Sequence, residues 1–203
     1  MCLTQGLQSL QLPTKHAKAL FQYMSLLLYW NRYSNLTRIT EPEQMVLRHV
    51  LDALAIHTFI QPTTAQLADV GTGPGIPGIP LAIVQPSLHV LLIESNGKKV
   101  RFLREAVRQL QLTNVDIFPD RAEKCLYHRR FDYITARAVA SLTGILRVGG
   151  HLLHPQGALL AMKGQRPDNE IAELPPEWKA EAIHHLRVPG LDAQRHLVVV
   201  RLA

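Results

Sequence analysis

The sequence predicts an α/β fold with a mainly parallel sheet, preceded by a helical segment. Three observations carry that prediction. After Pro62, short apolar runs of strand length alternate with stretches of helical spacing, the pattern of a sheet whose crossovers cover both faces. The first of these runs leads into Asp69-Val70-Gly71-Thr72-Gly73-Pro74-Gly75-Ile76-Pro77-Gly78-Ile79-Pro80. Its four glycines and three prolines in twelve residues suit neither a helix nor a strand interior. The last two apolar runs follow one another with no helical pattern between them, so an antiparallel edge is expected there.

Taken in order, the elements begin with a helix. Leu20, Tyr23, Met24, Leu27, Leu28 and Asn31 fall at helical spacing. A second helix is expected from near Glu41 to Phe59. Pro42 suits its first turn, and Met45, Val46, His49, Val50 and Leu54 form its buried stripe. Asn31 to Arg38 is a polar, basic connector. Residues 1–62 are thus expected to be a helical extension packed on a core formed by residues 63–203. In that core, strands are expected at Gln66–Val70, His89–Ile93, Val115–Phe118, Phe131–Thr135, Ala158–Met162, Ile183–Val188 and His196–Arg201. Helices are expected near Ile79–Val84 and from Gly97 to Leu110.

Composition bounds the function. At 203 residues and 47% hydrophobic content the chain can bury one full core, and 19% charged residues is not a disordered composition. A net charge of +6 suits an anionic partner such as nucleic acid. Cys2 and Cys125 are too few and too far apart for a disulfide framework, which points to a reducing cytoplasm. The apolar run from Ala19 to Trp30 is shorter than the roughly 20 residues a membrane span needs. No association with a membrane is expected.

In an open α/β sheet, ligands bind at the carboxyl ends of the strands, where strand order reverses. Gly71, Gly73 and Gly75 let backbone approach a ligand closely there. The dinucleotide fingerprint is G-x-G-x-x-G, whereas this loop reads Asp-x-Gly-x-Gly-x-Gly from Asp69 to Gly75. That spacing is similar to motif I of S-adenosylmethionine (AdoMet) methyltransferases. Glu94, at the end of the second strand, can accept hydrogen bonds from both hydroxyls of a ribose, which serves NAD and AdoMet alike. No G-K-[ST] follows the glycines, so a nucleoside triphosphate P-loop is set aside.

Longer stretches are more specific. DVGTGPGIPGIPLAIVQP, LLIESNGKKVRFLREAVRQLQLTNV, RAEKC, FDYITARAVASL, LLAMKGQ and VPGLDAQRHLVVV resemble the RsmG (GidB) family of 16S rRNA guanine-N7 methyltransferases. So do Trp30 to Thr37 and Arg48 to Leu54, and the likeness runs over nearly the whole chain, in order. It implies a Rossmann-like class I AdoMet-dependent methyltransferase fold, with a seven-stranded sheet. It implies AdoMet as methyl donor and a guanine of 16S rRNA, in the small ribosomal subunit, as substrate. By position, the family's cofactor contacts fall on Gly71, Ile76, Ala122, Glu123 and Arg137. Glu94 stands where the family often has Asp, and Ala53 and Val139 replace residues often seen as Ser and Phe.

Guanine N7 carries a lone pair and no proton, so its methylation needs alignment rather than a general base. Arg137 and Lys163, just past the fourth and fifth strands, are expected to act there. Arg137 would bond the AdoMet carboxylate or orient the guanine, and Lys163 would meet an RNA phosphate or base oxygen. Arg32 and Arg38 in the connector, Lys98, Arg101 and Arg104 on the helix after Glu94, and Arg129-Arg130 form a candidate track for the RNA backbone. His151 and His154 could share a helix face, but no partners stand at ligand spacing, so no metal is assigned. Cys125 is read as a packed thiol. The chain is expected to be monomeric. The rival readings are an NAD-dependent oxidoreductase and a ribosome-binding protein without catalytic activity.

Overall fold

The computed structural model describes residues 2–127, 131–137 and 140–203. Arg129, Arg130 and Val139 lie outside the described residues. Seven strands form one sheet: β1 (Gln66–Val70), β2 (His89–Ile93), β3 (Val115–Phe118), β4 (Phe131–Arg137), β5 (Leu153–Lys163), β6 (Trp178–His185) and β7 (His196–Leu202). Their order is β3-β2-β1-β4-β5-β7-β6. The first five run parallel, and β7 pairs antiparallel with both β5 and β6. From β1 the chain winds outward through β2 and β3, then returns to lay β4 on the other side. The order therefore reverses between β1 and β4, which opens a crevice at their carboxyl ends.

Three crossover helices cover the parallel half: α5 (Gly78–Val84), α6 (Gly97–Gln109) and α7 (Leu142–Gly149). A short α8 (Asp168–Ala172) precedes β6. Before the sheet come α1 (Leu3–Ser9) and α2 (Ala17–Ser34), and Asn35 ends α2 in the left-handed region (φ 48°). Next come α3 (Pro42–Met45), a π-helical turn (Val46–Leu51) and α4 (Asp52–Leu54), end to end. The stripe Met45, Val46, His49, Val50 and Leu54 is buried as expected. Leu7, Leu20, Tyr23, Leu27, Met45 and Leu54 join Leu67, Ile79, Phe102 and Leu160 in one hydrophobic cluster, so the N-terminal helices share a core with the sheet.

Some expected boundaries are corrected. β5 starts at Leu153, because His154-Pro155-Gln156 continues the strand as its exposed end. β6 starts at Trp178 and stops at His185, not Val188. Its alternation of part-buried and exposed positions is that of an edge strand, and Leu186–Val188 turns away into the loop. His151 and His154 do not share a helix face: the first lies in a 3₁₀ turn (Gly150–Leu152) and the second in β5.

Candidate active site

The crevice is floored by the loop after β1. Gly71, Gly73 and Gly75 take positive φ (67°, 63° and 94°), which side chains strongly disfavour. A Cβ at Gly75 would strike the Ile79 side chain. One at Gly73 would meet nothing nearer than the Gly71 oxygen at 4.0 Å, so that position faces open space where a ligand can lie. Thr72 N–H donates to the Ile93 carbonyl (3.1 Å), tying the loop to β2. From the other side the buried Tyr23 hydroxyl donates to the Pro74 carbonyl (2.7 Å). Burial pushes the tyrosine's pKa well above its ordinary value, so it stays a donor.

Asp69 holds this loop from beneath. One carboxylate oxygen accepts from Thr72 Oγ1 (2.5 Å) and Gly78 N–H (2.8 Å), and the other from Thr135 Oγ1 on β4 (3.3 Å). Burial raises its pKa to about 6, outweighing the three hydrogen bonds and Arg137, which all lower it. Glu94 lies at the rim. Its Oε2 accepts from Gly73 N–H (3.1 Å) and lies 3.6 Å from Lys99 Nζ, while its Oε1 accepts from Asn96 N–H (2.8 Å). Asn96 in turn caps α6, accepting from the N–H groups of Lys98 and Lys99. Ile76 is buried against the core. Ala122, buried, and Glu123, exposed, sit in a 3₁₀ turn (Ala122–Lys124) after β3, at the same sheet edge.

At the carboxyl ends of β4 and β5 lies a cavity of about 360 Å³, lined by Arg48, Asp52, Arg137, Met162, Lys163 and Arg195 among others. Arg137 ends β4 and reaches across to the π-helical turn. Its Nη1 donates to the Arg48 carbonyl (2.6 Å) and to Asp52 Oδ2 (2.7 Å), and its Nη2 lies 3.2 Å from His49 Nδ1. Arg195 Nε donates to the other oxygen of Asp52 (2.8 Å). One buried carboxylate thus fixes two guanidiniums.

His49 is held neutral. Its pKa falls to about 4, first through burial and then through the charge of Arg137. Nε2 lies 2.7 Å from Thr37 Oγ1. Nδ1 lies 3.2 Å from the Arg48 carbonyl as well as from Arg137 Nη2, so the arginine contact calls for a bare Nδ1 and the carbonyl contact for a protonated one. Thr37 belongs to the connector and bonds twice to the Asn31 side chain. A buried polar chain therefore links the connector to Arg137.

Lys163 lines the cavity, but its ammonium is paired. It donates to Glu170 (2.8 and 3.1 Å) and to the Ala140 carbonyl (2.9 Å). Lys98, Arg101 and Arg104 are exposed on α6 and Arg38 on the connector, while Arg32, expected in the connector, is exposed on the last turn of α2, which continues to Ser34. Arg32 and Arg38 line an open groove with Lys99, and Lys98 and Arg101 line a second with Ser34 and Asn35. Cys125 is buried, and burial raises its thiol pKa. Among the described residues no group of three or more His, Cys, Asp or Glu could hold a metal ion, and no helix is long and apolar enough to cross a membrane.

Sequence reasoning gave no role to Asp52, His49, Arg48 or Arg195. The signal was present for His49, a polar residue on the expected buried stripe, whereas Asp52 was not counted on that stripe although it falls two helical turns after Met45, where an unpaired buried carboxylate would be costly. Nothing local reveals that Arg195, 143 residues away, is the partner.

Comparison with known proteins adds a third line. A family model described as GidB, rRNA small subunit methyltransferase G, matches residues 16–198. The ribosomal RNA small subunit methyltransferase G of Xanthomonas oryzae pv. oryzae (strain MAFF 311018) is 54% identical over 201 residues, covering 99% of this chain and 94% of that protein. The protein of the same name from Xylella fastidiosa (strain M23) is 54% identical over 199 residues, covering 98% and 93%. Among solved structures, a SAM dependent methyltransferase from Aquifex aeolicus superposes with a TM-score of 0.63 at 16% identity, covering 83% of this chain and 98% of that one. TrmN from Thermus thermophilus gives 0.60 at 19% identity, covering 78% and 53%. At such identities the structural likeness concerns the fold, which is the Rossmann-like class I methyltransferase fold.

Proposed function

The chain belongs to the GidB family of small-subunit rRNA methyltransferases, and from that premise we propose that it transfers a methyl group from AdoMet to N7 of a guanine in 16S rRNA. The observation that supports this most is the meeting of two features at one sheet edge. The glycine loop suits an adenosyl ligand, and the Arg137–Asp52–Arg195 cluster suits an anionic or acceptor-rich substrate. β4 joins them: Thr135 donates to Asp69 beneath the loop, and Arg137 follows two residues later on the same strand.

The residues fit AdoMet. Gly73 leaves backbone open beneath the ligand, Gly71 and Gly75 supply the positive φ angles that shape the loop, Glu94 offers a carboxylate to the ribose, and Ile76, Ala122 and Glu123 border the adenosyl half. Asp69 serves the site from below, by shaping the loop. AdoMet supplies an electrophilic methyl group on a sulfonium. The guanine N7 lone pair forms the new C–N bond as the C–S bond breaks, its electron pair passing to sulfur. No proton moves, and no side chain has to act as a base. The chain's contribution is alignment, which in well-oriented cases supplies up to roughly 7–11 kcal/mol.

That chemistry restricts the arginines. A guanidinium that donated to N7 would occupy the attacking lone pair, so Arg137 and Arg195 must take guanine O6 or a phosphate instead. Arg137 also suits the AdoMet carboxylate. Lys163 can serve the RNA only by exchanging Glu170 for it. The N7 edge is unreachable within an A-form duplex, so the target base is unpaired or splayed out. The extension (1–62) and the sheet segment (63–203) act as one monomeric, cytoplasmic unit without a metal.

The test is transfer of labelled methyl groups from AdoMet to 30S subunits, naked 16S rRNA and 70S ribosomes, with mapping of the modified base. Labelled N7-methylguanine in 16S rRNA is expected, and no transfer to any rRNA would sink the reading. Calorimetry should show binding of AdoMet and not of NADH, which separates it from an oxidoreductase.

A further inference from the structure

The outward face of α2 and α6 takes no part in the site described above. The two helices lie antiparallel. Gln22 donates to the Gln109 carbonyl at one end (3.4 Å), and Trp30 packs edge-on against Phe102 in the middle, with centroids 6.1 Å apart. At the other end Ser34 and Asn35 face Lys98 and Arg101 across a groove. On α2, Phe21, Tyr29 and Tyr33 follow one row at helical spacing. They are 65%, 57% and 74% exposed, although large aromatic rings are mostly buried in folded proteins. Tyr29 and Tyr33 meet edge to face at 6.0 Å and 66°, and their exposure leaves ring surface open to solvent.

On the neighbouring helix α6, Lys98, Arg101 and Arg104 are exposed, and Lys98 and Arg101 line the groove with Ser34 and Asn35, at the end of α2 that carries Tyr33. Among the described residues no ion pair engages them, nor Arg32 or Arg38. Glu105, the acidic residue of α6, is taken up by Arg108 and Gln109. Open aromatic rings next to unneutralised cations are what single-stranded nucleic acid uses: bases stack on the rings and phosphates follow the charge. Tyr and Arg are enriched in protein interfaces too, and binding to assembled 30S subunits separates that partner from an unpaired strand. A duplex keeps its base faces stacked inside and offers nothing to the tyrosines.

We propose that the α2–α6 face is a platform for an unpaired strand of the substrate RNA, its bases stacking on Tyr29 and Tyr33 and its phosphates lying along Lys98, Arg101 and Arg104. The proposal rests on the RNA-methyltransferase reading and adds a binding surface to it. It explains why this face carries both features at once: the flank of a target guanine that must be unpaired is itself a source of open bases.

The test titrates the full-length protein with a fluorescent unpaired oligoribonucleotide and with a matched duplex across a salt series. The Tyr29→Ala/Tyr33→Ala protein is compared with wild type and with Tyr29→Phe/Tyr33→Phe. The alanine protein should bind the unpaired strand about tenfold or more weaker at every salt concentration, with unchanged salt slope and unchanged duplex affinity. The phenylalanine protein should stay near wild type. No loss on the unpaired strand, or equal loss on strand and duplex, would overturn the platform. A loss seen only with assembled 30S subunits would overturn it in favour of a protein partner, and a loss of self-association in sedimentation in favour of a second copy. Methyl transfer by the wild type to small-subunit rRNA is measured in parallel. Its absence removes the activity itself, whereas transfer alongside unaltered strand affinity in the alanine protein removes only the platform.

Discussion

The guanidiniums of Arg137 and Arg195 and those of Arg101 and Arg104 carry the same charge in different surroundings. The first pair is only 21% and 19% exposed, and both are fixed on the buried Asp52. The second pair stands in solvent on α6 without an ion-pair partner among the described residues. A guanidinium held by several fixed acceptors acts at one point and in one orientation. An exposed cation acts through a field that salt screens within about 8–10 Å. The buried pair is therefore suited to the alignment of reacting groups, and the exposed pair to the capture of RNA.

The strongest way to break this contrast is Asp52→Asn. It removes the charge that both arginines share and leaves them partly buried without compensation. Methyl transfer should fall at least about 100-fold and urea unfolding should show a loss of about 3 kcal/mol. A variant of near-native activity would mean that Asp52 does not organise the site. Next comes Arg137→Ala, with kcat reduced about 100-fold. Arg137→Lys should rescue little, because one ammonium cannot reach the Arg48 carbonyl, Asp52 and His49 together. Single-turnover rates distinguish these outcomes from a simple weakening of RNA binding.

A smaller effect sharpens the buried side. The folded-state pKa of His49, about 4, lies below its ordinary 6.5. Between those values the unfolded chain binds a proton that the folded one refuses, so this group costs stability as pH falls from 6.5 to 4. Asp69 acts in the opposite sense. With its pKa raised from 3.8 to about 6, it favours the folded state at low pH, and that advantage is lost as pH rises through 6. His49→Gln should be less stable than wild type at pH 7. Its deficit should shrink by roughly 1 kcal/mol per pH unit on acidification from 6.5 toward 4, as read by urea melts. A deficit independent of pH would show that His49 is not buried in its neutral form.

The smallest effect on the chemical step is expected on the exposed side. Replacing Arg101 and Arg104 together by alanine should lower the slope of log affinity against log salt by about 1.4, roughly 0.7 for each contact with a single strand. An unchanged slope would take RNA away from α6.

The same contrast decides what could be seen in the sequence. Local signals were legible. The strands β1, β2 and β3 fall where their apolar runs predict, and the glycine spacing marks the loop whose positive φ angles require it. The exposed cations of α6 could be found by counting along a helix. The helix α7 went unnamed because Leu142–Gly149 is only two turns long and carries Gly144. The edge strand β6 was misplaced because its alternation is shallow on a half-solvated face. Asp52 falls two turns after Met45 and was passed over in the stripe, and its two partners come from β4 and from the loop before β7. Only tertiary structure brings them together, and the π-helical turn that presents the Arg48 carbonyl has no periodicity of its own to announce it.

The hydrogen bond from Tyr23 to Pro74 bears on the order in which the protein can be made. A chain emerging from the ribosome generally folds N-terminal parts first, yet α2 emerges with its apolar face unmatched. Tyr23 must wait for Pro74 and then for Phe102, its ring neighbour at 6.4 Å. Asp52 must wait longer still, for Arg137 and finally Arg195. The first helices of the nascent chain thus remain dependent on residues not yet translated, and the catalytic crevice is among the last parts of the molecule to close.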